Sequence, residues 1–152
     1  MDEIALMREI GKLQEQINAL RTIETGGIWT AYTPTLSSID GGTVPTFADV
    51  RGGYCAIGNT LQVTYYFSNS SGGTAGSGAN LLVASVPFNH HANQNVLGIG
   101  IFWNGAAPQT VLARKYGDDK VLLMRADGNN VYCSDFSSVT RYLHLTLNYR
   151  LV

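Results

Sequence analysis

Hydrophobic positions recur with two different periods along this chain, and the change comes near Gly26. Before it, Leu6, Ile10, Leu13, Ile17 and Leu20 alternate spacings of four and three, which sets all five on one stripe of a helix. With Ile10 and Ile17 at heptad position a and Leu6, Leu13 and Leu20 at d, the stripe reads as the oligomerising seam of a coiled coil over residues 1–25. Glu9 and Gln16 fall at g and Gln14 and Arg21 at e, so Gln16 of one helix can meet Arg21 of another. Asp2 suits the helix start, and Gly26 suits a left-handed end. The alternative is an amphipathic helix lying on its own β domain, although that use normally needs a wider apolar face. Gly11 costs about 1 kcal/mol relative to Ala inside a helix. A seam of little more than two heptads is marginal by itself, so further association must come from elsewhere. Ile at a with Leu at d favours two strands in isolated parallel coils, so a trimer must be set by the sequence that follows.

From Ile28 onward the period shortens to two. Runs of β-branched and aromatic residues predict strands at about 29–36, 50–57, 61–68, 80–86, 96–103, 109–115, 120–126, 131–136 and 139–151. Between them lie turn sequences such as Gly58-Asn59, Asn104-Gly105, Gly117-Asp118 and Asp127-Gly128-Asn129. Leu61, Val63, Tyr65 and Phe67 share one face of their strand and are expected in the core, as are Leu143, Leu145 and Leu147. The opposite face of the last strand, with Tyr142, His144, Thr146 and Asn148, is polar but uncharged and is available to a neighbouring subunit. Residues 69–79, rich in Ser and Gly, read as a mobile surface loop. Short strands without intervening helices predict a mainly β fold, an antiparallel jelly-roll-like sandwich over residues 26–152 behind a short N-terminal α-helix.

Composition narrows the partners. The chain has 152 residues, 45% of them hydrophobic, enough for one core plus an appendage. A net charge of −1 with 14% charged residues leaves no basic field, so nucleic acid is excluded as an expected partner. No apolar run is long enough to span a membrane, and the acidic, charge-dotted N-terminus does not resemble a secretory leader. No membrane insertion is expected. Cys55 and Cys133 are accordingly expected as buried free thiols in place of a disulfide.

Candidate chemistry is sparse. His90 and His91 are adjacent and point apart in extended chain, so they make no metal pair by adjacency, and both are expected in a surface loop. Cys133 and His144 carry no spacing that specifies a nucleophile and its base. No Glu follows Glu24, and the aspartates sit mostly in turn signals, unlike the flanking carboxylates of a glycosidase. Asp127-Gly128-Asn129-Asn130 lacks the rest of a calcium loop, and Gly98-x-Gly100 lies in a hydrophobic strand with no helix after it. No catalytic residue, metal or cofactor is expected. What remains is recognition by surface, for which Asn89, His90, His91, Asn93, Gln94, Asn95, Trp103 and Asn104 are the candidate receptor-contact residues, offering adaptable polar groups and aromatic area for stacking on sugars.

Three blocks carry a resemblance. Trp29-Thr30-Ala31-Tyr32-Thr33-Pro34-Thr35, then Gly53-Tyr54 with Ile57-Gly58 and Val63, then Ser85-Val86-Pro87-Phe88 after a glycine-rich loop, resemble a β head module of tailed-bacteriophage virion proteins. The blocks sample residues 29–88, and the C-terminal third is similar only in general β character. The resemblance implies a homotrimer on a virion, made in the host cytoplasm. It implies as partners either tail or baseplate proteins and a host surface glycan, for a tail fibre or tip, or capsid proteins, for a decoration or head-fibre protein. A trimeric sugar-binding or ligand-type jelly roll outside phages is the remaining class.

Overall fold

The computed structural model describes residues 11–14, 16, 27–39, 41–69, 72–90, 93–136 and 141–152. Its strands are β1 (Thr30–Ala31), β2 (Leu36–Ser38), β3 (Asp49–Ile57), β4 (Thr60–Asn69), β5 (Leu82–Ser85), β6 (Val96–Trp103), β7 (Pro108–Tyr116), β8 (Lys120–Arg125) and β9 (Arg141–Arg150). They form one antiparallel sheet in the order β1-β3-β4-β9-β6-β7-β8-β5-β2. The mainly β, antiparallel expectation is met.

The first predicted strand divides at Pro34, which has no amide hydrogen for a sheet ladder. Its two halves then pair at opposite ends of the sheet, β1 with β3 and β2 with β5. Only residues 32–35 separate them, so the sheet must curl until its two ends adjoin. The connecting segment is bonded on both sides: the Tyr32 amide donates to the Gly52 carbonyl of β3, and the Ser85 amide of β5 donates to the Thr35 carbonyl.

Inside the curl lies one core. Leu61, Val63, Tyr65 and Phe67 of β4 and Leu143, Leu145 and Leu147 of β9 are all buried there, on the face their alternation assigns. Tyr65 crosses the interior and donates its hydroxyl to the Ser85 carbonyl at 2.7 Å. Phe47, Phe67, Phe102 and Phe136 pack ring to ring at centroid distances of 5.4 to 5.8 Å, which fills one end of the core with aromatic area.

Two expectations are corrected. Residues 131–136 do not form a strand: isolated bridges at Asn130 and Tyr132 lead into a 3-10 helix, Cys133–Phe136. The Asp135 carboxylate accepts the Tyr132 amide at 2.7 Å and forms an ion pair with Arg125, and the resulting turn buries Cys133 and Phe136 together. The glycine-rich stretch is also tied down over its described part, 72–79. Thr43 and Ser77 bridge, the Thr46 and Thr74 hydroxyls share a hydrogen at 2.9 Å, and the Gly76 amide donates to the Phe136 carbonyl. Gly76 serves a close approach, since a Cβ there would stand 2.2 Å from the Cys133 carbonyl oxygen. Arg141, inward-facing at the start of β9, stacks on Phe47 and donates to the carbonyls of Thr46 and Thr74, clamping both loops to the sheet.

Of the N-terminal seam, Leu13 is described and the positions Leu6, Ile10, Ile17 and Leu20 lie outside the described residues. Residues 11–14 and 16 have helical backbone, too short a piece to show a coil.

Candidate interaction surface

Cross-strand register organises the outer face of the sheet into rows. One row runs Thr110, Ile101, His144, Tyr66, Arg51 across β7, β6, β9, β4 and β3, and the next runs Leu112, Ile99, Thr146, Thr64, Gly53. A third row places Trp103, Tyr142, Ser68 and Asp49 side by side. Ile99 and Ile101 are 56% and 46% exposed, high values for isoleucines in the middle of a sheet.

Their outward orientation has a local cause. Gly98 and Gly100 take the inward positions of β6, where a Cβ would stand 2.6 Å from Leu147 Cδ2 and Leu145 Cδ2 respectively. The β9 leucines thus occupy the space β6 would otherwise fill, and the isoleucines are left on the outside. Tyr66 and His144 meet edge to face at 6.1 Å, and Trp103 lies 5.9 Å from Tyr142. A depression of about 320 Å³ is lined by Ile99, Ile101, Thr110, His144 and Thr146, and a second of about 280 Å³ by Trp29, Arg51, Tyr66 and His144. The first is at the low end of small-ligand volumes, roughly 300–1,000 Å³, and the second falls just below it; they adjoin at His144, so the feature is better described as a surface than a pocket.

Electrostatically the face is nearly neutral. The charged pair in the three rows is Asp49 with Arg51, at the β3 margin, joined at 2.8 Å. That pairing holds the Arg51 guanidinium above its ordinary pKa. On the same side of the sheet, residues 27–29 lie over β3. A Cβ at Gly53 would touch the Trp29 ring at 3.4 Å, and one at Gly27 would approach the Cys55 sulfur at 3.1 Å.

The candidate receptor-contact residues separate into two groups. Asn89, His90, Asn93, Gln94 and Asn95 precede β6, whereas Trp103 and Asn104 lie at its far end, about 20 Å away for a strand of this length. His91 lies outside the described residues. Asn89, Asn93 and Asn95 are exposed, while Gln94 accepts the Arg150 amide at 2.7 Å. His90 is not in an open loop: it is 1% exposed, its ring against Tyr149 and its Nε2 3.2 Å from the Lys120 carbonyl oxygen. The expectation overlooked that its backbone pairs with Leu151 and draws the side chain inward. Asn104 accepts the Ala106 amide in its turn.

Cys55 and Cys133 are both buried and free, on opposite sides of the sheet. Burial pushes the Cys133 thiol above its ordinary pKa. His144 faces outward while Cys133 lies in the core, so the two are not a nucleophile and base. Among the described residues no three His, Cys, Asp or Glu side chains gather as a metal site. Sequence alternation sets Tyr66 on the face opposite the core, where it is found, but it missed Ile99, Ile101 and Trp29 as surface residues; the Gly-Ile-Gly-Ile alternation of 98–101 was the available signal.

No protein family, curated protein or solved structure matches this chain.

Proposed function

We propose that this chain is a structural protein of a tailed-bacteriophage virion, a homotrimer in which N-terminal helices align three jelly-roll-like heads that project from the particle. The observation that carries the reading is how the three blocks of the resemblance come together. Trp29 lies on Gly53, the Tyr32 hydroxyl meets Ser85 Oγ at 2.7 Å, the Thr35 amide donates to the same oxygen at 2.9 Å, and Tyr54 packs edge to face on Phe88 at 5.1 Å. Residues drawn from separate parts of the sequence thus form one device, the clasp that closes the curled sheet. The resemblance is therefore to a way of building a head, and it supports a shared structural role more strongly than a shared ligand.

In this reading function is assembly and avidity: heads on one axis multiply a weak contact without catalysis. As a tail fibre or tip, the protein touches host surface glycans with its exposed polar and aromatic ends. The separation of the receptor-contact candidates into two distant groups favours the second reading, a capsid decoration or head-fibre protein docked through its N-terminal segment. Electron microscopy of particles labelled with antibody against the head tests both. Label on the tail supports the fibre, label on the shell supports the decoration protein, and particles without label overturn the virion reading. If particles lacking the protein adsorb to cells at the normal rate, the glycan-contact role is lost.

A further inference from the structure

We propose that the outer face of β4, β9 and β6, centred on Tyr66, His144, Ile99 and Ile101 and bordered by Trp29, is the surface on which copies of this chain pack against one another. The proposal rests on the homo-oligomer reading above and locates its contact.

Three observations select a second copy as the occupant. The first is charge. The rows that build the face hold one carboxylate and one guanidinium, Asp49 and Arg51, already paired to each other at its margin. The same face of another copy can therefore approach without like-charge repulsion, whereas a strongly charged partner finds little to pair with. The second is the course of the chain. Residues 27–29 lie against the outer side of β3, with Trp29 itself 51% exposed beside Tyr66 and His144. The described chain of the head thus begins on this side of the sheet, at Gly27, the residue to which the segment carrying the seam is joined in sequence. If those segments join on an axis, the faces nearest the joint are the ones turned toward that axis. The third is Leu13, the described seam residue, which is 55% exposed and so is not buried on its own head.

Size explains why head and seam are both needed. Three rows across four strands cover roughly 400 Å² in projection from strand and residue spacings. That is about half of the roughly 800 Å² per partner in a standard stable interface. Each contact is weak alone, and joining them in one chain makes the second association intramolecular.

The test uses the full chain with Ile99 and Ile101 both changed to Asp, and Val152→Asp as an exposed apolar control off the face. Sedimentation velocity across a concentration series should show wild type and control as oligomers, and the double variant weakened in self-association by about 100-fold or more. A double variant of wild-type mass at equal concentration overturns the proposal while leaving the oligomer reading intact. A wild type that is monomeric at every concentration overturns both. Hydroxyl-radical footprinting of the wild type keeps the test independent of variant folding. Protection of Tyr66 and Trp29 above the assembly concentration, and not below it, is the expected result. Protection in the monomer as well means that the chain's own N-terminal segment covers the face, and lack of protection in the oligomer means that copies meet elsewhere; either overturns the proposal.

Discussion

Ser85 Oγ accepts the Thr35 amide and shares a hydrogen with the Tyr32 hydroxyl, while its backbone amide donates to the Thr35 carbonyl and its carbonyl accepts from Tyr65. Four bonds at one residue fix where the two ends of the sheet meet. Ser85→Ala strips two of them and leaves an amide and a hydroxyl without their partner, a loss of about 1–3 kcal/mol. Urea unfolding should show the midpoint falling with an unchanged slope; an unmoved midpoint would mean that water replaces the serine. Tyr65 and Tyr149 make a second prediction at this scale. Burial raises both above the ordinary tyrosine pKa of 10.0, since ionising either would place charge in the core. Raised folded-state values mean that the folded protein holds its protons longer than the unfolded chain. The associated stability is therefore complete below pH 10 and is lost as pH rises above it, by up to about 1.4 kcal/mol per pH unit for each tyrosine. Denaturant titrations between pH 9 and about 11.5 should show that decline, shallower in Tyr65→Phe, and equal slopes in the two proteins would assign the alkaline loss to other groups.

At the scale of elements, β6 turns Ile99 and Ile101 outward and sets Gly98 and Gly100 inward because β9 has already filled the interior at those positions. At Gly100 a Cβ would stand 2.1 Å from the His144 carbonyl oxygen and 2.6 Å from Leu145 Cδ2. The carbonyl belongs to a strand paired on both sides and cannot withdraw. Gly100→Ala is expected to cost about 3 kcal/mol or more, visible as a large drop in thermal midpoint; a near-wild-type midpoint would show that β6 and β9 can separate locally. Strand alternation made most of the sheet legible in sequence: the 61–68 and 96–103 runs lie within a residue or two of β4 and β6 because one face of each had to be apolar or empty. Alternation failed where side chains bond back to the main chain. Val131 and Cys133 keep a period of two, but Phe136 breaks it, and the Asp135 bond to the Tyr132 amide turns that break into a 3-10 helix. The glycines of 72–78 looked like slack, yet at Gly76 the missing Cβ serves close packing, which composition alone does not distinguish from mobility. The outer face was half legible: the uncharged side of the last strand was read from sequence, while its extension to Ile99 and Ile101 depends on which strands β9 adjoins, a matter of topology.

For the whole molecule, the change of period near Gly26 divides one chain into two weak sources of association. The seam offers five apolar positions over little more than two heptads, and the head offers one modest neutral face. Neither contact suffices under the proposed trimer, and each raises the effective concentration at which the other forms. Loss of either should then act on assembly and leave the fold of the head unchanged. Ile17→Asp places a carboxylate from every copy on the proposed seam, where burial of charge is expensive. Light scattering is expected to give a mass near three times 16.4 kDa for the wild type and a mass falling toward one copy for the variant on dilution. Urea unfolding of the variant at low concentration should match that of wild type diluted below its own assembly range, since both then report the head alone. A variant that keeps its mass on dilution would show that the heads associate without the seam or that the stripe packs elsewhere. A variant that loses both mass and head stability would show that the segment before Gly27 is part of the folded domain, so that the change of period marks a change of secondary structure within one unit and not a joint between two.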